Sequence, residues 1–199
     1  WLRVVGIKLI LDGVIDACTA AMRHPYADGS NAEPIWPPAQ LQPVVDAADA
    51  AGVQIAQHAI GDLASAMALD ALEHAAAVSG GLPRRHRVEH LEYSAPGTAE
   101  RMARPGVTAS MQPVHSDPAI FANWAAMLGD ERVERAFPWP EYEEAGTLLA
   151  FSTDAPTPRG AAGSRPGALP ISRSSTPTCS RSSPPRCCGP ASSKSSWRA

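Results

Sequence analysis

The 199-residue chain has no apolar run of membrane length and no signal-peptide pattern, which argues against a spanning or secreted protein. Cysteine is scarce. Cys18 stands alone in the body of the chain, and Cys179, Cys187 and Cys188 lie near its end, the last two adjacent. That is neither a disulfide framework nor a zinc spacing, and a cytoplasmic location is the expectation. Acidic residues are missing from residues 158–199, which hold seven of the 17 Lys and Arg. Residues 1–157 carry all 20 Asp and Glu and the other ten basic residues. A body this acidic argues against nucleic acid as the natural partner. There is no initiator Met either. The chain opens on WLRVVGI, as if in mid-strand, so earlier strands are expected to be missing.

What the chain does have is a polar residue wherever an apolar run ends. Lys8 and Asp12 lie in KLILDG. VQIAQH ends on His58, RVEH on His90, VTASMQPVH on Gln112 and His115, and LLAFSTD on Asp154. Strands are expected near Val4–Leu11, Val53–Gln57, His86–Leu91, Val107–Met111 and Thr147–Phe151. Helices are expected over Gln40–Ala51, Leu63–Val78, Thr98–Ala103, Pro118–Leu128, Glu131–Ala136 and Glu141–Ala145, with Asp62 as a candidate cap and glycines as stops. Residues 24–38 are loop by their Pro, Gly, Asp and Asn. Such alternation means a parallel sheet with crossover helices. An open doubly wound sheet gathers its functional residues at one switch point. Here they follow nearly every strand, as in a (β/α)8 barrel, which needs about 250 residues when complete. The expected fold is therefore α/β, a partial barrel over residues 1–157. Residues 158–199 are Ser-, Pro-, Arg- and Gly-rich and cannot build a core. The change is abrupt, as a reading-frame slip in a GC-rich gene would produce, or a natural basic tail.

Each candidate side chain has a plain reading beside its chemical one. His58 and His90 are 32 residues apart, one strand–helix unit, so their imidazoles leave neighbouring strands as metal ligands; alternatively each bonds backbone at a loop start. Asp62 either orients an imidazole or caps a helix. Glu89 alternates with His90 and is expected to face the helices, pairing with Arg87 or Arg85. His86 and His74 are expected on solvent or helix faces. His24 nears the mouth only if its loop folds over. Asp154 either binds metal and takes a proton or caps a turn before Pro156. Gln112 and His115 either meet substrate, steadying an oxyanion, or simply shape their loop. Lys8, inside an apolar strand, cannot stay charged without a partner. It is an active-site cation, a lysine carbamate ligand, or a Schiff-base nucleophile, the last giving a lyase. Asp12 is a rim carboxylate or an ordinary Asp-Gly turn. The order Lys, His, His, Asp points to metal-assisted hydrolysis.

Six segments in register, GIKLILDGVID, QHAIGDLA, RVEHLEY, GVTASMQPVHSD, LGDERVERAFPW and FSTDAP, resemble the amidohydrolase superfamily in its amidohydrolase-3 or YtcJ-like branch. The resemblance implies a metal-dependent barrel hydrolase acting on carbon–nitrogen bonds other than peptide bonds, of amide or N-substituted formamide type. It implies a divalent metal, zinc by expectation, that acidifies water. Matched residue by residue, His58 stands as the fifth-strand ligand, His90 as the sixth, Asp154 as the eighth-strand Asp and Lys8 at the fourth-strand position. Asp154 would take and return the proton, and His115 would steady the oxyanion. The small-molecule substrate is unspecified, although Trp36, Trp124 and Trp139 suit an aromatic or apolar one. A homo-oligomer is compatible with this reading. Three departures stand out. No HxH pair occurs anywhere in the 199 residues, FSTD replaces the usual Gly before SD, and Pro105 replaces an apolar residue. Strands four to eight alone, without that pair, are expected to be inactive.

Overall fold

The computed structural model describes residues 1–80 and 84–155. The low-complexity segment 158–199 and Pro156 lie outside the described residues. Five strands form one sheet: β1 (Gly6–Ile10), β2 (Gln54–Ala59), β3 (Arg87–His90), β4 (Thr108–Met111) and β5 (Leu149–Phe151). Their order in space is their order in sequence, and every pairing is parallel. A doubly wound sheet must reverse its order at a switch point. An arc of a barrel never does, and this sheet does not.

Between β1 and β2 runs α1 (Pro38–Ala50), followed after β2 by α2 (Asp62–Val78) and after β3 by α3 (Thr98–Ala103). The last crossover holds α4 (Pro118–Leu128), α5 (Asp130–Val133) and α6 (Trp139–Glu144). Helix α1 starts two residues earlier than its composition suggests, because Pro38 needs no N–H partner in a first turn. Gly52, at φ 71°, ends it. The seven alanines of α2 explain its length. Its N-cap is Gly61, not Asp62. The Asp62 carboxylate instead accepts the Arg23 N–H at 2.8 Å, so it neither caps the helix nor reaches an imidazole.

The helix-facing side of the sheet holds the main core. Leu9, Leu11, Ile55, Val88, Ala109 and Met111 pack on Leu41 and Val45 of α1, Leu69 and Leu72 of α2, Met102 of α3 and Tyr142 of α6. The opposite side is polar and layered. One row across the strands reads Lys8, Ala56, Arg87, Thr108; the next reads Ile10, His58, Glu89, Ser110, Ala150. Strand-register layers of this kind line a barrel interior. Glu89 therefore lies on the His58 side, not toward the helices. It does pair with Arg87, and Gln112 Nε2 lies 3.5 Å from its other oxygen and donates to Ser152 Oγ at 3.0 Å. Lys8 is exposed on β1, so the argument from burial inside an apolar strand does not hold for it.

Of the two places expected for His86, solvent or a helix face, the structure shows the second: it is buried against α1. Its Nδ1 accepts the Ile55 N–H at 3.1 Å and its Nε2 donates to Asp49 at 2.9 Å, stapling β2 to α1 at the start of the strands. His74 is exposed and pairs with Asp46. A second cluster, built from Ile15, Met22, Tyr26, Ile60, Tyr93, Trp124 and Phe137, forms a rim beyond the strand ends. The loop bearing His24 is tied to this rim. Arg132 donates to the carbonyls of His24 and Pro25, while the His24 residue itself is exposed.

Candidate functional site

Local backbone geometry brings three of the predicted residues, His58, His90 and His115, together. His58 is the fifth residue of β2, on the polar face. Its Nε2 lies 3.1 Å from the Gly13 carbonyl and 3.5 Å from Asp12 Oδ1, so Nε2 carries the proton and Nδ1 keeps its lone pair. Asp12 is fully buried. Its carboxylate accepts the N–H groups of Ala21, Ile60 and Gly61 at 2.8–3.0 Å, fastening the loop after β1 to the end of β2. Asp12 is more than a turn residue: it holds the backbone around His58 and stands behind its ring, the arrangement that fixes a ligating imidazole. Gly61 lies so close that a Cβ there would sit 2.1 Å from the Ala21 carbonyl.

His90 ends β3 with φ 78°, a left-handed conformation that breaks strand alternation. The break turns its ring back toward His58, and the two ring centroids are 4.4 Å apart. On its other side His90 stacks on His115 at 5.7 Å with planes 9° apart. His115 sits on a 3-10 turn (Pro113–Ser116) after β4. Its Nδ1 is 2.7 Å from Glu92 Oε1. Asp154, also at positive φ after β5, is half-buried, and its charge acts on His58, His90, Glu92 and His115. Lys8 acts on both His58 and His90 from the same face. His58, His90 and His115 thus meet beyond the strand ends, Asp154 follows β5, and Lys8, in the middle of β1, lies a register layer below His58.

Glu92 is the residue the sequence reading did not single out. It lies two positions past His90 in RVEHLEY, beyond the strand, where alternation says nothing about direction. The pattern His-x-Glu was its only signal.

Burial keeps the two central imidazoles neutral. Desolvation lowers the His58 pKa, and desolvation joined by repulsion from His58 and Lys8 pushes His90 down to about 3. The hydrogen bond to Glu92 raises His115. Burial raises Glu92, and burial raises Asp12 to about 6 against the pull of its three backbone donors. Neutral imidazoles beside carboxylates are the donor set of a borderline divalent metal. His90 Nδ1, buried with no hydrogen-bond partner in the structure, is an orphan such an ion would satisfy. The residues fit a metal. One set of His90, Glu92 and His115 ligand atoms lies within 4.8 Å of one another.

This fold and this site coincide with similarity to known proteins. The sequence matches the model of the amidohydrolase family across residues 1–168, and the chain belongs to that family. It is 37% identical over 160 residues to Protein LONG AFTER FAR-RED 3 of Arabidopsis thaliana, covering 78% of this chain and 27% of that protein. It is 31% identical over 153 residues to Putative amidohydrolase YtcJ of Bacillus subtilis, covering 76% of this chain and 28% of that one. Among solved structures it resembles an uncharacterized metal-dependent hydrolase from Pyrococcus furiosus, at 33% identity and a TM-score of 0.64, over 77% of this chain and 31% of that one. The chain thus spans under a third of the length of these relatives. No described helix is long and apolar enough to cross a membrane.

Proposed function

We propose that this chain carries the metal-binding half of a hydrolase for carbon–nitrogen bonds other than peptide bonds, of amide or N-substituted formamide type. The observation that carries the reading is the convergence of His58 and His90, 4.4 Å apart, within the field of Asp154. His58 Nδ1, His90 and Asp154 would hold a divalent metal, for which zinc is the best match to two neutral imidazoles and a carboxylate. Such an ion supplies an acidified water as nucleophile. Asp154 would hold the proton and deliver it to the leaving nitrogen. His115, whose pKa the hydrogen bond to Glu92 raises, would donate a hydrogen bond to the developing oxyanion. Lys8 contributes a positive charge at the mouth, or a further ligand if carboxylated.

The site lies on one polar sheet face, and the chain contains no HxH pair. On its own it should therefore bind metal but turn over slowly, since an open site loses the advantage of excluded water. The metal-stripped chain should be titrated with zinc and then offered a panel of N-acyl amines and N-substituted formamides beside the Bacillus subtilis relative. Zinc binding weakened about tenfold or more by His58→Ala and by Asp154→Asn is the expected result. Binding indifferent to both changes would remove the metal reading. Turnover equal to that of the longer relative would remove the claim that the chain alone is slow. A Schiff-base lyase using Lys8 would be revealed by borohydride trapping of a carbonyl substrate on that residue.

A further inference from the structure

The strongest unexplained feature of the mouth lies on the side of His90 away from His58. Glu92 Oε1 stands between two imidazoles, 2.7 Å from His115 Nδ1 and 4.0 Å from His90 Nδ1. The rings are nearly coplanar in direction, 9° apart. His115 needs no further explanation for its Nδ1. His90 does, because the residue is 3% exposed and its Nδ1 finds no partner. A buried, unpaired imidazole nitrogen is costly, and a carboxylate just too far away to accept or donate does not relieve it. A cation between them would.

We propose that His90, Glu92 and His115 form a divalent-cation site of two imidazoles and one carboxylate, which takes the single His90 lone pair through Nδ1 and so competes for His90 with the His58 and Asp154 set. The three ligand atoms lie within 4.8 Å of one another, so modest side-chain rotation closes them on an ion with bonds of about 2.0–2.2 Å. His115 can supply that rotation. Its side chain is 25% exposed, on a short turn facing the open side, which also gives the ion an entry path. The donors are nitrogen and carboxylate oxygen with no thiolate, which selects zinc, cobalt, manganese or ferrous ions over copper(I) or calcium. The site stands whether or not the chain hydrolyses anything, and it makes Glu92 a ligand where the hydrolytic reading makes it only a partner of His115.

The test is a titration of the metal-stripped 199-residue chain with Co²⁺, followed by visible absorption, and with Zn²⁺ against a chromophoric chelator. Glu92→Gln and His115→Gln should weaken one class of site about tenfold or more, while His58→Ala and Asp154→Asn leave that class in place. Far-UV circular dichroism of each variant establishes that it is folded. Should Glu92→Gln or His115→Gln fail that control, the unmodified chain decides. Co²⁺ should shift the ring resonances of His90 and His115 strongly and that of His58 less. Binding lost only in His58→Ala and Asp154→Asn would overturn this site and leave the hydrolytic set standing. Equal loss in all four variants would mean one merged site and overturn it too. Absence of binding in the unmodified chain would show a hydrogen-bonded cluster only and overturn both readings.

Discussion

The rings of His58 and His90 meet edge to face, centroids 4.4 Å apart and planes at 65°, although the two residues are not register partners across β2 and β3. His58 is paired with Glu89, and His90 with Ala59. The backbone at His90 is left-handed, at φ 78°, where the regular strand alternation ends. Two imidazoles held this close in a dry site resist protonation together, and that has a consequence for acid stability.

In the metal-stripped chain, His90 takes up a proton near pH 3 when folded and near 6.5 when unfolded. Between these values the unfolded chain binds more protons, so the His90 contribution to stability is present above pH 6.5 and is lost as pH falls toward 3. At roughly 1.4 kcal/mol per pH unit, going from pH 6.5 to 5 should cost about 2 kcal/mol. His115, whose pKa is raised, works in the opposite direction. The difference between the native chain and His90→Gln isolates the His90 part. Urea midpoints at pH 7 and pH 5 should separate less in His90→Gln; an unchanged separation would mean the ring is protonated in the fold.

Asp12 should matter to stability more than any other residue of the mouth. Its two oxygens satisfy three buried backbone donors, and each orphaned donor costs about 1–3 kcal/mol. Asp12→Ala is expected to lose about 3 kcal/mol or more in urea unfolding. Asp12→Asn should also destabilise, because Oδ2 receives two of the three N–H groups and an amide NH₂ placed there would oppose them. A loss under about 1 kcal/mol in Asp12→Ala would show that the loop after β1 is held by its apolar contacts instead.

The strand ends were readable because each apolar run is short, lies one helix from the next and stops on a polar side chain. That pattern pointed to the five parallel strands, their helices and the meeting of His58, His90 and His115. Three things were not readable. The face of Glu89 followed from strict alternation with His90, and the positive φ at His90 breaks that alternation. Glu92 lies past the strand, where no period applies. The exposure of Lys8 depends on β1 being an edge strand, which neighbours in space decide and composition does not. The partners of His86 are a fourth case of this kind, since Asp49 and Ile55 lie more than 30 residues away.

That staple is itself testable. Asp49 is buried and accepts from His86 at 2.9 Å and from Arg84 at 2.6 Å. Asp49→Ala removes one partner from a largely buried ionic cluster, a change that typically costs about 3–5 kcal/mol. The expected loss lies at the lower end, since Arg84 is partly exposed and can return to water. The cluster is at the start of the strands, remote from the mouth, so the folded fraction of Asp49→Ala should bind zinc as the native chain does. A tenfold fall in zinc affinity without unfolding would contradict the separation of the two ends.

The sheet leaves two edges without a neighbouring strand among the described residues, one on β1 and one on β5. Val4 and Val5 just before β1, Ile10 within it, Leu148 just before β5 and Phe151 at its end are all half or more exposed. Edge strands with unpaired N–H and C=O groups and apolar side chains template pairing with another chain; neither edge strand here carries a proline, and the exposed Lys8 is the charge that β1 already presents. Self-association through these edges is therefore expected as protein concentration rises from micromolar to millimolar, read as an increasing weight-average sedimentation coefficient. Val5→Lys and Phe151→Lys place a charge at each edge and should shift association to higher concentration, with the double variant shifting it further than either alone. The β1 edge has the longer strand, five residues against three, so Val5→Lys should have the larger effect. A native chain that stays monomeric through the millimolar range, or variants that associate as readily as it does, would show that the edges are protected by something other than charge.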